Sequence, residues 1–491
     1  MSEAKQRSGP LVGVRVVEVA GIGPGPFAAM VLADLGADVV RVDRASDVGP
    51  GDPPLQTRVL GRGRRSVAVD LKHSAGLELL LGLVERADVL LEGFRPGVAE
   101  RLGFGPDVCH ERNPRLVYGR ITGWGQSGPW AGMAGHDINY IALSGALGAI
   151  GRKGEAPVAP LNLIGDFGGG GMLLALGVAC ALVERQGSGR GQVVDAAMLE
   201  GSNLLMSMVY EMLALGDWTA QRGENVLDSG AHFYDVYETA DGRWISFGAI
   251  EPKFYREFLQ ALGLGGEELP DQFDRAAWPG LKQRVAERVR EHTRDEWEAR
   301  LAGSDACFAP VLGLDEIIDS EQLAARDFSV VHTHPAFGVE VRFPGPIAKF
   351  SRTPTDFRRP PPTLGQHNQE LALEEPRTPL AMGGSGSSGP PLGGVKILDL
   401  FWVLAGPGAT RMLADYGATV VRVESKTHLD TLRVIPPYQF NHPHPEGAGG
   451  FQSANANKLG ITLDIDNPRG RELLLELVSW ADVVTDSFAP G

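Results

Sequence analysis

The first hundred residues alternate between two hydrophobic periods. Val14–Val19 is a β-branched run that predicts a strand, and Phe27–Leu35 has helical spacing ended by Gly36. Ala37–Val42 predicts the next strand. Ser66–Leu71, Gly76–Glu85 and Val89–Glu92 continue as strand, helix and strand. Repeated β-α-β units imply a largely parallel sheet with helices on both faces. Residues 168–185 predict a helix apolar on nearly every side, hence a buried one.

Further along, residues 245–312 form a smaller α+β region. It opens with the strand Trp244–Ala249 and holds charged amphipathic helices around 279–302. Residues 355–375, rich in proline and polar side chains, suit a return segment or a tail. The pattern divides the chain into a large α/β domain (1–224 with 330–375), a small α+β domain (225–329), a Gly/Ser-rich linker (376–391) and a last unit (392–491).

That last unit repeats the first. Pro391–Leu400 echoes Pro10–Val19, and Ala414–Glu424 echoes Ala33–Asp43, both at an offset of 381. Leu463–Ile465 then matches Val69–Leu71, and Phe488–Gly491 matches Phe94–Gly97, at an offset of 394, which places a 13-residue insertion near 430–456. A repeat of this size indicates a duplicated domain rather than a solenoid. No counterpart of the candidate chemistry described below falls within it, and it is expected to hold no complete site of its own.

A chain of 491 residues exceeds one ordinary core. With 43% hydrophobic and 22% charged residues it has the balance of a soluble globular protein. No stretch is expected to reach the uncharged run of about 20 residues that crosses a bilayer. The opening residues, 1–10, lack the apolar core of a leader. The expectation is a cytoplasmic protein that engages no membrane. Cys109, Cys180 and Cys307 are too few and too dispersed for a disulfide framework or a zinc site, and read as small buried hydrophobes. No metal is expected.

A net charge of −15 argues against nucleic acid or an anionic membrane as partner. An anionic ligand would then need a local basic cluster. Arg41, Arg44, Arg58, Arg62, Arg64, Arg65 and Lys72 supply one, and Gly61 and Gly63 would let backbone approach the ligand. Phosphate binding is expected there; a solvated charged surface is the alternative.

Four segments could carry chemistry. The Gly21–Pro26 loop follows a strand and opens a helix, with Asp43 about twenty residues on, as in dinucleotide sites. Pro26, however, stands where the third glycine of that fingerprint belongs, and it removes a backbone donor. His136 follows a glycine-rich loop and sits among polar residues, while Asp137 beside it would serve as a helix cap. Asp166 precedes four consecutive glycines, Gly168–Gly171. Such a run suits close ligand approach to a helix N-terminus, where free N–H groups favour developing negative charge. Glu251 ends a strand before a proline-started helix, and by itself reads as a cap.

Taken together, Gly25–Asp34, Gly135–Gly145, Pro160–Asp166, Gly248–Tyr255 and Asp305–Val311 resemble the α-methylacyl-CoA racemases of the family III (CaiB/BaiF-type) CoA-transferase fold. The resemblance spans about residues 10–375 and continues more loosely into the last unit. It implies a Rossmann-like large domain, a smaller α+β domain and an interlocked homodimer. It also implies that His136 and Asp166 are the acid/base pair on opposite faces of a thioester α-carbon, with Glu251 orienting His136. Arg44, Val69, Asp70, Leu71, Lys72, Arg95, Gly135, Asp137, Ile138, Asn139 and Tyr140 would contact the CoA part of an acyl-CoA substrate. No separate cofactor is implied. Within the same fold, CoA transfer with Asp166 as a covalent nucleophile is the alternative; a CoA-binding or dimer-scaffolding role without catalysis is a third reading. Ser425 stands where the first unit has Arg44, which points to a non-catalytic second copy.

Overall fold

The computed structural model describes residues 8–48, 59–333, 340–345, 348–355, 359–374, 389–436, 438–439 and 442–488. Arg58 and most of the predicted linker lie outside them. Six strands form the first sheet: β1 (Arg15–Val19), β2 (Asp38–Arg44), β3 (Arg64–Val69), β4 (Val89–Glu92), β5 (Val117–Thr122) and β6 (Val193–Ala197). All are parallel, in the order β3-β2-β1-β4-β5-β6. The two-residue pleat sorts their side chains. Val16, Val39, Val89 and Leu91 enter a core with the helices Pro24–Asp34 and Leu173–Ser188. Val17, Val40, Val42 and Leu90 enter the opposite core, under the helix Ser74–Val84.

Strand β3 begins two residues before the predicted start, and the reason is electrostatic. Arg64 and Arg65 can lie in a buried strand because each meets a carboxylate. Arg64 binds Glu18, and Arg65 Nη2 lies 2.7 Å from Asp38 Oδ2. The 359–374 segment returns to cover this edge: Asn368 Oδ1 accepts the Ala68 N–H at 2.9 Å, and the Arg15 guanidinium lies 2.8 Å from Glu374. Covering an edge strand in this way blocks unwanted pairing.

The smaller unit holds an antiparallel sheet of β7 (Tyr234–Glu238), β8 (Trp244–Gly248) and β9 (Phe308–Pro310). The helices Pro252–Ala261, Trp278–Val289 and Arg294–Leu301 pack on it around Phe247, Phe258, Trp278 and Trp297. A two-stranded antiparallel sheet, β10 (Ser329–Thr333) with β11 (Glu340–Pro344), follows.

A further parallel sheet contains β12 (Lys396–Leu400), β13 (Thr419–Glu424), β14 (Leu459–Thr462) and β15 (Val483–Asp486), in the order β14-β13-β12-β15. This order parallels β3-β2-β1-β4. Details recur as well. The Arg15 N–H donates to Asp88 at 2.8 Å, and the Lys396 N–H donates to Asp482 at 2.9 Å. The buried Arg64–Glu18 pair has an analogue with shorter side chains, Lys458–Asp399, whose charged atoms lie 2.9 Å apart.

One expectation needs correction. Leu163–Ser188 is, by length and composition, apolar enough to cross a bilayer, with half of its most apolar window buried. Its Leu174, Val178 and Ala181 pack in the core of the first sheet.

Candidate active site

A cleft of about 730 Å³ opens at the carboxyl ends of β1, β4 and β5. The strand order reverses between β1 and β4, the place where open α/β sheets form ligand crevices. Gly23 and Pro24 come from the turn after β1. Gly93–Arg95 follow β4, and Gly123 and Trp124 follow β5. His136, Asn139, Tyr140, Asn162 and Asp166 complete the working wall.

His136 is exposed and immediately precedes the helix Asp137–Leu143. Its backbone N–H donates to Asn139 Oδ1 at 3.0 Å, which fixes the entry to that helix. Asp166 lies in a π-helical run, Leu163–Met172, that leads into Leu173–Ser188. Such wide turns recur at functional sites. Its Oδ2 accepts from Asn162 Nδ2 at 3.1 Å, and its own N–H donates to Asp137 Oδ2 at 2.8 Å. Burial pushes the Asp166 carboxyl above its ordinary value. The Asn162 hydrogen bond opposes this, the Asp137 charge adds to it, and a positive His136 opposes it. The two candidate acid/base groups therefore share one cleft.

The aromatic side of the cleft depends on missing side chains. Trp124 and Tyr140 meet edge-to-face at 4.7 Å between centroids. A Cβ on Gly123 would lie 2.1 Å from the Tyr140 ring, and one on Gly135 would lie 2.7 Å from it. The Tyr140 hydroxyl donates to the Gly135 carbonyl at 2.5 Å. Trp124, which sequence reasoning passed over, is buried with its Nε1 unpartnered. No local motif marks it; only the turn after β5 brings it here. Gly23 has φ 68° and ψ −117°, and its Cβ would lie 3.2 Å from Asp166 Oδ2.

Of the other predicted contacts, Arg95, Gly135, Asn139 and Tyr140 line the cleft. Asp137 is buried behind it, holding the Asp166 N–H, and Ile138 points to solvent outside it. Arg44 ends β2, paired in register with Val69, which ends β3. Asp70, Leu71 and Lys72 form the turn beyond, where Asp70 Oδ1 accepts the Lys72 N–H at 3.0 Å. These five lie on the same carboxyl edge as the cleft, two strands to its side. Glu251 precedes the helix Pro252–Ala261 and is not among the residues lining the cleft.

Packing narrows two expectations. The basic cluster is mostly structural: Arg41 pairs with Asp43 at 2.9 Å, Arg62 with Asp34 at 2.5 Å, Arg64 with Glu18 and Arg65 with Asp38. All four arginines are buried, where a charge needs a partner; Arg44 and Lys72 remain exposed. The glycine run likewise serves packing. A Cβ on Gly169 would lie 2.7 Å from the Ser202 nitrogen and one on Gly171 2.6 Å from the Pro24 carbonyl, so the run lets helices touch backbone to backbone. Among the described residues, no group of three or more His, Cys, Asp or Glu gathers as a metal centre requires.

A doubly wound α/β unit with His136 and Asp166 in a cleft at its switch point defines the class. The profile of CoA-transferase family III matches residues 11–368 and again 392–491, and this chain belongs to that family. It is 47% identical over 365 residues to the α-methylacyl-CoA racemases of mouse and human, covering 74% of this chain and 93% of each relative. A succinyl-CoA–D-citramalate CoA-transferase of Chloroflexus aurantiacus is 31% identical, covering 74% of this chain and 93% of that one. Among solved structures, a CaiB/BaiF family protein from Brucella suis superposes with a TM-score of 0.63 at 25% identity, covering 74% of this chain and 99% of that one.

Proposed function

We propose that the chain is an isomerase that inverts the α-carbon of 2-methylacyl-CoA thioesters. The carrying observation is that His136 and a half-buried Asp166, its acidity weakened by burial, face one cleft. A thioester α-proton is weakly acidic, so its removal needs a base of raised pKa and a stabilised enolate. One residue takes the proton from one face and the other returns a proton to the opposite face. The intervening enolate is planar, which accounts for inversion. The 47% identity to two racemases supports this reading.

In this reading the CoA part lies along the carboxyl edge, from Arg95 and Tyr140 toward Arg44 and Val69–Lys72. Glu251 lies outside the cleft of its own chain. An interlocked homodimer would let a second copy's small domain close the cleft and bring that carboxylate to His136. We place the enzyme in the cytoplasm, acting on acyl-CoA without nucleic acid, membrane, metal or separate cofactor. Residues 392–491 are taken as a partial second copy of the first four strands.

A specific observation favours one other chemistry: a relative of 31% identity is named a CoA-transferase, and Asp166 offers a reachable carboxylate. Incubation of a single-enantiomer 2-methylacyl-CoA in deuterated water separates the two. Deuterium at the α-carbon with loss of optical purity supports the isomerase. A retained α-proton with CoA passing to an added free acid would make Asp166 a nucleophile.

A further inference from the structure

The helix Leu173–Ser188 serves two cores. Its inner face, with Leu174, Val178 and Ala181, packs with Val16, Ala37 and Val39 of the first sheet unit. Its outer face, with Leu176 and Cys180, belongs to a separate core with Ile397, Ala418 and Val420. At the offset of 381 these three residues correspond to Val16, Ala37 and Val39. Two related sheets therefore present the same face to opposite sides of one helix, which explains why that helix is apolar all round.

A second contact lies apart from the first. The helix Gly449–Asn455, in the predicted insertion, packs on the helix Ser207–Leu215. The exposed carboxyl edge of the second sheet has a different charge from the first. Ser425 and Asp466 correspond to Arg44 and Lys72, so neither of those two positions carries a cation here.

We infer that residues 392–491 act as an accessory layer that docks on the outer face of Leu173–Ser188, shares that helix with the catalytic unit and holds the Asp166-bearing turn from behind. The last clause rests on the isomerase reading; the docking does not. The three cysteines provide the assay. Cys180 lies in the seam, Cys109 in the far core of the first sheet, and Cys307 is exposed.

Alkylation of the native 491-residue protein with iodoacetamide, mapped by mass spectrometry, should modify Cys307 and spare Cys109 and Cys180. Leu392→Glu with Tyr416→Glu, which places charge in the seam, should raise the Cys180 rate about tenfold or more and leave Cys109 protected. Hydrogen exchange over 173–188 should rise in the same variant. Cys180 reacting as fast as Cys307 in the unaltered protein would overturn the docking. So would a variant in which Cys180 stays as protected as Cys109 and exchange over 173–188 is unchanged. If the seam opens while α-proton exchange keeps its rate, the support of Asp166 is refuted and the docking stands. If no α-proton exchange occurs in the unaltered protein, the isomerase reading fails, and the labelling result still decides the docking.

Discussion

Gly23→Ala tests how tightly the fold seats Asp166. Gly23 has φ 68° and ψ −117°, a conformation open to glycine and costly for any other residue, at about 1–3 kcal/mol. The new methyl would lie 3.2 Å from Asp166 Oδ2, closer than ordinary contact, so the carboxylate must yield by a few tenths of an ångström. A displacement of about 1 Å at a reacting group costs about a hundredfold in rate, so this smaller shift should cost about three- to tenfold. Gly25→Ala is the control. Its Cβ would meet Ile121 at 3.7 Å, an ordinary contact, and it lies in the first turn of the helix Pro24–Asp34. The assay is α-deuterium incorporation into 2-methylacyl-CoA, beside urea unfolding. Gly23→Ala should lose kcat and about 1–3 kcal/mol of stability, and Gly25→Ala neither. Equal rates and equal stability for Gly23→Ala and the unaltered protein would show that Gly23 does not seat Asp166.

Asn162→Ala removes a donor from the Asp166 carboxylate, so its charged form is less favoured and its pKa rises further. The acid limb of kcat/KM should therefore move to higher pH; movement to lower pH would contradict the assignment. His232 is buried with its pKa lowered to about 4, chiefly by desolvation, with Nε2 2.8 Å from the Tyr255 hydroxyl. The folded state binds the proton less well than the unfolded state, so stability is full above the unfolded value of 6.5 and falls as pH drops toward about 4. The loss should approach about 3 kcal/mol and shrink in His232→Gln, as read from urea midpoints across that window. Arg64→Met strands the buried Glu18 and should cost about 3–5 kcal/mol. The double change Glu18→Asp with Arg64→Lys, which copies the Asp399–Lys458 pair, should restore much of it in chemical denaturation.

Much of the fold was legible because the two hydrophobic periods are local. Val16 and Val17 point to opposite faces as a pleat demands, and the predicted strand Val89–Glu92 matches the observed one residue for residue. What failed depended on distant partners. The arginine-rich stretch looked like a phosphate site because Glu18, Asp34 and Asp38, which neutralise it, lie well before it in sequence. The glycine run looked ligand-facing because its helix partner, centred on Gly201, comes thirty residues later: a Cβ there would sit 1.8 Å from the Gly169 carbonyl. His136, Asp166 and Arg95 were singled out from sequence, and the chain brings them to one cleft. Trp124 escaped because its place depends on the turn after β5. The buried role of Asp137 also escaped, since the Asp166 N–H that it holds comes from a different helix.

The central claim is that two residues work on opposite faces of one carbon. The decisive measurement is α-deuterium exchange of each pure enantiomer of a 2-methylacyl-CoA in deuterated water, with His136→Gln and Asp166→Asn compared with the unaltered protein. Each variant should fail to racemise yet still exchange one enantiomer with retention, and the two variants should spare opposite enantiomers. Loss of exchange for both enantiomers in Asp166→Asn, with both kept in His136→Gln, would contradict it and point to a single reacting carboxylate.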